Sequence, residues 1–130
     1  MRCVRVGYGV IARIHERKFR ELGVGTAAVV DIDARSRAQA AQDGHVVRAS
    51  CTAALDLEAD FWDVCVDSSA HLAVLREIVA MDPQARLLLE KPICQHREIG
   101  ELRALLAGFR GRLTVNENYS SSSMREPGGA

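Results

Sequence analysis

The sequence predicts an α/β fold in which a doubly wound parallel sheet lies between two layers of helices. Short apolar segments alternate along the chain with helix-like segments of about ten or more residues, and this alternation is typical of βαβ units. The strand-like segments look apolar on both faces, as they do in a parallel sheet covered on each side. Because crossovers between parallel strands are right-handed in about 98% of cases, these units predict a three-layer αβα sandwich.

The predicted elements follow one another along the whole domain. A short strand at residues 3–6 leads into glycines, and a helix at residues 10–22 ends at Gly23. That helix has an apolar stripe consisting of Ile11, Ile14, His15, Phe19 and Leu22. Further strands are predicted at residues 26–32, 45–49, 61–66, 86–90 and 113–116. Two further helices are predicted at residues 34–42 and near residues 99–106. Between them, a helix capped by Ser69 is predicted, with an apolar stripe of Leu72, Leu75, Ile78 and Val79.

Length and charge limit the class of protein. The chain has 130 residues, which suits one domain, and its 17 basic residues balance its 17 acidic ones. A nucleic-acid groove or a surface for anionic membranes needs a net basic face, so neither partner is expected. No apolar stretch approaches the length of a membrane span, and the first residues lack a signal-peptide core. We therefore expect a cytoplasmic protein.

The four cysteines are scattered, without the spacing of a metal site or a disulfide framework. Cys3 and Cys65 lie in apolar runs, where cysteine behaves as a small core residue. We expect free thiols and no metal. Residues 1–119 form the predicted domain, and the tail at 120–130, rich in serine and glycine, is expected to be a linker or disordered.

A glycine pattern follows the first strand. Gly7, Gly9 and Ala12 have the G-x-G-x-x-G/A spacing, with a strand before them and a helix directly after. Gly7 permits a sharp turn, and Gly9 lets the backbone, from Tyr8 onward, approach a pyrophosphate. The N–H groups of Val10 and Ile11 at the positive end of the helix would bind the phosphates. A purely structural turn is the alternative interpretation.

Asp31 ends the second strand about 20 residues beyond the glycines, where an acid hydrogen-bonds the ribose of an adenine dinucleotide. A carboxylate there would repel a 2′-phosphate, so NAD is favoured over NADP. Arg35 and Arg37 lie near enough to keep NADP possible. The alternative for Asp31 is a turn or helix-cap aspartate, a role that Asp33 fits well.

Three residues with unusual chemistry end the fifth strand: Glu90, Lys91 and Pro92. Ligands of open α/β sheets lie beyond the carboxyl ends of the strands, so this tripeptide should face the same crevice as the glycines. A lysine there can hydrogen-bond a substrate hydroxyl and favour its deprotonation as hydride leaves. Pro92 would fix the turn and permits a cis bond. The alternative for Glu90 and Lys91 is a surface ion pair.

These residues together resemble the glucose–fructose oxidoreductase / inositol dehydrogenase / MocA (Gfo/Idh/MocA) family, specifically its N-terminal Rossmann domain. The resemblance rests on "GYGVIARIH", "VVDID", "DFWDVCVDSSAHLAVL" and "LLLEKPI", and it covers nearly all of residues 1–119. It implies that Lys91 is catalytic and lies beside the nicotinamide, and that Glu90 contacts the cofactor region. It also implies a small-molecule substrate, with reversible oxidation of a hydroxyl on a sugar, cyclitol or related metabolite.

The sequence departs from the family pattern at three places. Ser68 and Ser69 stand where family members commonly have Thr-Pro, although their hydroxyls could still bond a ribose or phosphate. His71 is a candidate cofactor contact or, equally, a histidine at a helix start, whereas His15 and His96 are assigned structural or surface roles. The family's second domain, which supplies the substrate pocket and much of the oligomer interface, is missing from these 130 residues.

Two hypotheses remain open, and a third is weaker. In the first, the chain is the cofactor-binding part of a dehydrogenase, incomplete for turnover alone and homo-oligomeric in its full-length form. In the second, it is a free-standing nucleotide-binding module that acts as a redox sensor or as a subunit of a partner. A methyltransferase-like fold for another adenosine ligand is weakened by Glu90, Lys91 and Pro92, which that chemistry does not need.

Overall fold

Strands and helices alternate from the start of the chain to Asn116, where the part described by the computed structural model, residues 1–116, ends. The strands are β1 (Arg2–Val6), β2 (Gly25–Val30), β3 (Val47–Arg48), β4 (Phe61–Val64), β5 (Arg86–Glu90) and β6 (Arg112–Asn116). The α-helices are α1 (Val10–Glu21), α2 (Ala34–Gln42), α3 (Ser68–Met81) and α4 (Ile99–Leu106). Short 3₁₀ helices span Thr52–Leu57 and His96–Glu98. The predicted domain end at 119 and the predicted tail at 120–130 lie outside the described residues.

All neighbouring strands are parallel, and the six-stranded sheet has the order β3-β2-β1-β4-β5-β6. The chain winds outward from β1 to β3 and then, in the opposite direction, from β4 to β6. Right-handed crossovers therefore place α1 and α2 on one face of the sheet and α3 and α4 on the other. The predicted class, a doubly wound three-layer α/β fold, is confirmed.

The apolar core fills the face of the sheet under α3 and α4. Val4, Val6 and Val64 lie on this face, and Leu75 and Ile78 of α3 pack on it. Side chains alternate between the two faces of a strand, so every second residue of β1, β4 and β5 contributes to this core. The apolar stripe predicted for α3 is the one that the helix buries at Leu72, Leu75 and Ile78.

The opposite face, under α1, differs from the prediction of strands apolar on both sides. Arg5 of β1 and Asp63 of β4 are both 0% exposed and lie in register with each other on adjacent strands. Helix α1 accordingly buries Ala12 and His15, whereas Leu22 of the predicted stripe is 76% exposed. The prediction was wrong here because it counted apolar residues and gave no weight to a charge inside each strand.

Smaller differences concern helix starts and cysteines. Helix α3 begins at Ser68 with Asp67 at its N-cap position, so Ser69 is not the cap that was predicted. All four cysteines are free thiols; Cys3 and Cys51 are buried, while Cys65 and Cys94 are partly buried. Among residues 1–116, no helix has the length and apolar character that a membrane crossing requires.

Candidate functional site

The candidate site lies at the carboxyl ends of β1, β2, β4 and β5. The strand order reverses between β1 and β4, and the crevice at such a switch point is where open α/β sheets bind ligands. The glycine turn leaves β1 at this point, Asp31 follows β2, and Glu90 ends β5. The three sequence features therefore come to one edge of the sheet, as predicted.

Gly7 forms the sharp turn, and its environment leaves room only for glycine. Its φ is +99°, in the left-handed region that side chains disfavour. A Cβ on Gly7 would lie 2.9 Å from the carbonyl oxygen of Cys65. The N–H of Gly7 donates to the carbonyl of Val30 (2.7 Å), which ties the turn to the end of β2.

Gly9 occupies the N-cap position of α1 and has open space around it. A Cβ added to Gly9 would meet nothing within 4 Å, and no side chain caps the helix. The first turn of α1, which begins at Val10 and Ile11, contains no acidic residue, while Lys18 and Arg20 lie in its last turn. Its N-terminal N–H groups and positive dipole end are thus oriented toward the crevice side and suit an anion.

Asp31 connects the glycine turn with the start of α2. Its Oδ2 accepts from the N–H of Tyr8 (3.0 Å), and its Oδ1 accepts from the N–H of Asp33 (2.9 Å). Asp33 is the N-cap of α2 and accepts from the N–H of Ser36 (3.2 Å), which confirms the cap interpretation for Asp33. Arg37 donates to the carbonyl oxygen of Asp31 (2.8 Å).

The side chain of Tyr8 points away from the crevice. Its ring is buried against Val29 and Ala40, and its hydroxyl donates to Oδ2 of Asp43 beyond the end of α2. Burial and the Asp43 hydrogen bond raise the pKa of Tyr8 to about 12. Because the N–H of Tyr8 is also engaged by Asp31, both donors of this residue serve to hold the turn, and its place among the cofactor contacts stays a prediction.

Two small cavities lie at this edge of the sheet and share Val66 in their linings. The first, about 230 Å³, lies beside Asp31 and is mostly apolar, with Ile32, Ala49 and Val74 in its lining. The second, about 210 Å³, is lined by Ile11, Ser68, Glu90, Lys91 and Pro92, among others. The start of α1 and the Glu-Lys-Pro turn therefore face the same cavity.

The turn after β5 is fixed from both sides. The bond between Lys91 and Pro92 is cis, as the sequence permitted. His71 is buried, with Nδ1 2.8 Å from the carbonyl oxygen of Ile93 and Nε2 3.1 Å from that of Val66. This geometry favours the helix-start role of His71, since its ring bridges the turns after β4 and β5. Ser68 accepts from Nε2 of Gln95 (3.0 Å), while Ser69 is exposed.

Comparison with known proteins identifies the family. The family model described as "Oxidoreductase family, NAD-binding Rossmann fold" (GFO_IDH_MocA) matches residues 1–116. The chain belongs to the Gfo/Idh/MocA oxidoreductase family. The predicted family and its cofactor, NAD, are thereby confirmed. No curated protein sequence matches the chain.

Solved structures show the same fold. The chain superimposes on the WlbA dehydrogenase from Chromobacterium violaceum, in complex with NADH and UDP-GlcNAcA, with a TM-score of 0.75 and 23% identity over 89% of this chain and 34% of that one. It superimposes on UDP-N-acetylglucosamine 3-dehydrogenase GnnA from Acidithiobacillus ferrooxidans with a TM-score of 0.71 and 26% identity, over 88% of this chain and 37% of that one. With scyllo-inositol dehydrogenase from Lactobacillus casei, the TM-score is 0.73 and the identity 15%, over 89% of this chain and 36% of that one. This Gfo/Idh/MocA chain thus spans about a third of their length.

The sequence-based prediction missed a buried charged network under α1 of this family member. Nδ1 of His15 lies 2.8 Å from Oδ1 of Asp63, and Nε2 lies 2.9 Å from Oε2 of Glu90. Arg5 donates from Nε to Oδ2 of Asp63 (2.7 Å), and Asn116 donates to Oε2 of Glu90 (2.7 Å). A charged residue inside each of two otherwise apolar strands was the available signal.

Ligand atoms of His15, Asp63 and Cys65 lie within 4.8 Å of one another, a spacing that could suit a metal ion. Hydrogen bonds account for the same geometry, because Asp63 also pairs with Arg5 and His15 also bonds Glu90. A divalent ion here would have to break the hydrogen bond between His15 and Asp63, and the buried guanidinium of Arg5 already neutralises the Asp63 carboxylate. Burial and the charge of Asp63 raise the pKa of the Cys65 thiol, which makes it a poor metal ligand. We therefore interpret the cluster as a hydrogen-bonded charge network.

Proposed function

We propose that this chain is the cofactor-binding domain of an NAD(P)-dependent oxidoreductase that transfers hydride between the nicotinamide and a hydroxyl-bearing carbon of a sugar, cyclitol or similar metabolite, which becomes a carbonyl carbon when oxidised. One observation supports the proposal above the others. The cavity beside Asp31 includes Val6, directly before the glycine turn, and the cavity beside Lys91 includes Ile11, directly after it; both cavities include Val66. Two cavities on either side of an anion-binding helix end match the two halves of a dinucleotide and its pyrophosphate.

The residues fit such a cofactor part by part. The pyrophosphate would lie at the N-terminus of α1, against Gly9, Val10 and Ile11. The adenine would enter the apolar cavity beside Asp31, where Ile32 is 90% exposed and would be covered by the base. Asp31 keeps lone pairs on both carboxylate oxygens with which to accept from ribose hydroxyls.

Lys91 is the proposed catalytic residue. The nicotinamide supplies the hydride acceptor or donor when the cofactor is bound. The exposed Lys91 would hydrogen-bond the reacting oxygen of the substrate and stabilise the negative charge that develops on that oxygen during hydride transfer. Ser68 and Glu90 line the same cavity and would orient the cofactor there. The neighbouring structures include dehydrogenases of UDP-sugars and an inositol, which supports a hydroxylated substrate.

We expect the chain to prefer NADH over NADPH. The carboxylate of Asp31 would repel a 2′-phosphate, and Arg37 already donates to the main chain of Asp31. Titration with each nucleotide, followed by nicotinamide fluorescence, measures the preference. Tighter binding of NADPH would contradict the role given to Asp31, and an Asp31→Ser variant should narrow the difference between the two nucleotides.

A Lys91→Ala substitution tests the catalytic assignment. In the 130-residue chain, NADH affinity should stay within about twofold, since the proposed role of Lys91 is toward the substrate. In a chain that also carries a substrate domain, turnover should fall by about 10²-fold or more, the range for loss of a positioned acid–base group. Lys18→Ala, on α1, is the matched control. Retained turnover in the Lys91 variant would remove Lys91 from the mechanism.

An uncovered apolar groove favours a second candidate, a nucleotide-binding subunit that docks on a partner. A cavity of about 320 Å³ beside α1 is lined by Phe19, Leu22, Phe61 and Leu88, among others. Exposed apolar grooves of this kind commonly mark interaction surfaces. Size-exclusion chromatography with and without NADH distinguishes the two candidates. A chain that stays monomeric whether or not NADH is present would count against the nucleotide-binding subunit.

A further inference from the structure

The buried network under α1 ends at the candidate site. It runs from Thr26 of β2 through Arg5, Asp63 and His15 to Glu90. The exposed fraction is 0% for the side chains of Arg5 and Asp63 and 4% for His15, but 20% for Glu90. Glu90 is thus the member of the network that also lines the cavity shared with Lys91. Charges this deeply buried are stable only when they are paired.

His15 joins two carboxylates that would otherwise repel each other. The acceptors at its two ring nitrogens are carboxylate oxygens, and only the imidazolium donates to both at once. Within residues 1–116, the charged groups hydrogen-bonded to the ring are Asp63 and Glu90, and Arg5 and the imidazolium of His15 balance them. Burial disfavours the imidazolium, but hydrogen bonds to Asp63 and Glu90 and their charges outweigh it and raise the pKa of His15.

Other polar groups near the ring do not change this assignment. Cys65 lies with Sγ 3.4 Å from Nδ1, and burial raises the pKa of its thiol, so it stays neutral. Lys18, three residues along α1, lines the groove on the outer side of His15. Asn116 of β6 is uncharged and donates to the same oxygen of Glu90 that faces His15.

We propose that His15 is a positioning residue that holds the Glu90 carboxylate at the end of β5, and that its charge sets how strongly the cavity discriminates NAD⁺ from NADH. The second part rests on the proposed function, because it places the nicotinamide in the cavity lined by Glu90 and Lys91. With His15 protonated, the His15–Glu90 pair is neutral toward the cavity. When His15 loses its proton, Glu90 presents a net negative charge.

The two redox states of the nicotinamide respond differently to that charge. The ring is positively charged in NAD⁺ and neutral in NADH, so an unpaired Glu90 carboxylate attracts the oxidised form. Linkage requires the reverse effect as well: NAD⁺ favours deprotonated His15, and NADH favours protonated His15. The ratio of the dissociation constants, NAD⁺ over NADH, should therefore fall as pH rises through the pKa of His15.

Two neutral variants separate position from charge. The amide nitrogen of glutamine lies near the place of Nε2, so His15→Gln retains a donor to Glu90. That of asparagine lies near Nδ1, so His15→Asn retains a donor to Asp63 instead. Both variants lack the positive charge. His96→Gln removes an exposed histidine outside the network and serves as the matched control.

Binding of NAD⁺ and NADH is measured by calorimetry between about pH 5.5 and 9, a range that brackets the unperturbed histidine pKa. In the wild type and His96→Gln, the ratio should change by about fivefold or more, within the usual range of coupling between sites. In His15→Gln it should be independent of pH and equal to the wild-type value at high pH. A ratio that varies equally in His15→Gln, or that is flat in the wild type, overturns the role of the charge.

The position of the Glu90 turn is measured by the backbone amide chemical shifts of Glu90, Lys91, Ile93 and Cys94. They should be close to wild type in His15→Gln and displaced in His15→Asn; equal displacement in both overturns the positioning role. If neither variant folds, the ¹⁵N shifts of the wild-type His15 ring decide. Both ring nitrogens must be protonated at about pH 5.5, the acidic end of the range, and a neutral ring there overturns the bridge. If the wild type is folded, as its amide shifts would show, but binds neither NAD⁺ nor NADH, both the proposed function and the discrimination between NAD⁺ and NADH are wrong. The result on the positioning of Glu90 is independent of that outcome.

Discussion

At the scale of single residues, Gly7 and Gly9 of the glycine turn have different physical roles. Gly7 is needed by the protein itself, since its φ of +99° and the carbonyl of Cys65 exclude a side chain. Gly9 is not confined by the protein, because a Cβ there would meet nothing within 4 Å. A glycine with open space at a helix N-terminus is better explained by the close approach of a ligand.

Alanine substitutions should separate these two roles. Gly7→Ala is expected to lower the free energy of unfolding by about 1–3 kcal/mol, because it strains the backbone and displaces Cys65. Gly9→Ala should cost less than about 1 kcal/mol of stability. It should instead weaken NADH binding by about tenfold or more, or about 1.4 kcal/mol. Urea unfolding and NADH titration measure the two effects, and unchanged NADH affinity in Gly9→Ala would contradict the phosphate role.

The pairing of Arg5 with Asp63 gives a second prediction about single residues. Asp63→Asn should lower the free energy of unfolding by about 3–5 kcal/mol, since it leaves the buried guanidinium of Arg5 without a counter-charge. The control is Glu101→Gln, which removes the exposed ion pair with Arg76 and should cost about 0–1 kcal/mol. Both are measured by urea unfolding at neutral pH. Similar losses in the two variants would show that the Arg5–Asp63 pair is not electrostatically critical.

At the scale of elements, the alternation of strands and helices could be predicted well. Residues 86–90 and 34–42 were predicted with the limits that the structure has, because turn residues bound them. The contacts of α1 were not predicted. The predicted stripe included His15, which is buried against the sheet, but it could not show that Asp63 and Glu90 accept the hydrogen bonds of the ring. Only the assembled sheet brings those acids under the helix.

The bridge from α1 to β4 and β5 makes stability depend on pH. The pKa of His15 is raised in the folded state, so its stabilising contribution is complete below its unfolded pKa of about 6.5. That contribution is lost as pH rises through the higher folded pKa. Each tenfold difference in proton affinity between the two states is worth about 1.4 kcal/mol.

We therefore expect the free energy of unfolding of the wild type, relative to His15→Gln, to decline as pH rises from about 6.5. Urea unfolding of both proteins at several pH values gives this difference, in which the other histidines cancel. A difference that is constant with pH would mean that His15 does not titrate between folded and unfolded states.

At the scale of the whole molecule, the sheet is covered unevenly. Helices α3 and α4 cover one face, whereas the groove of Phe19, Leu22 and Leu88 beside α1 is open. The two cavities at the carboxyl ends of the strands form a surface that a dinucleotide would bridge. A ligand that binds only the folded state must stabilise the whole domain.

NADH at about 100 times its dissociation constant should raise the free energy of unfolding by about 2.7 kcal/mol. Urea unfolding with and without NADH measures the increase. At the same NADH concentration, the Gly9→Ala variant should gain less, because its affinity is lower. No increase for the wild type, at a concentration that saturates nicotinamide fluorescence, would show that NADH binds the unfolded chain equally well.

The sequence by itself determined the order of the elements and the chemistry at their ends. The glycine turn, Asp31 and the Glu-Lys-Pro turn are local patterns that follow strands. Any parallel sheet brings the carboxyl ends of its strands to one edge, so these patterns must lie at the same edge. Tertiary structure alone decided which polar side chains meet. Arg5 and Asp63 are separated by 58 residues and become partners only through the register of β1 with β4. The hydrogen-bond partners of the His15 and Tyr8 side chains were decided in the same way, since they are distant in the chain.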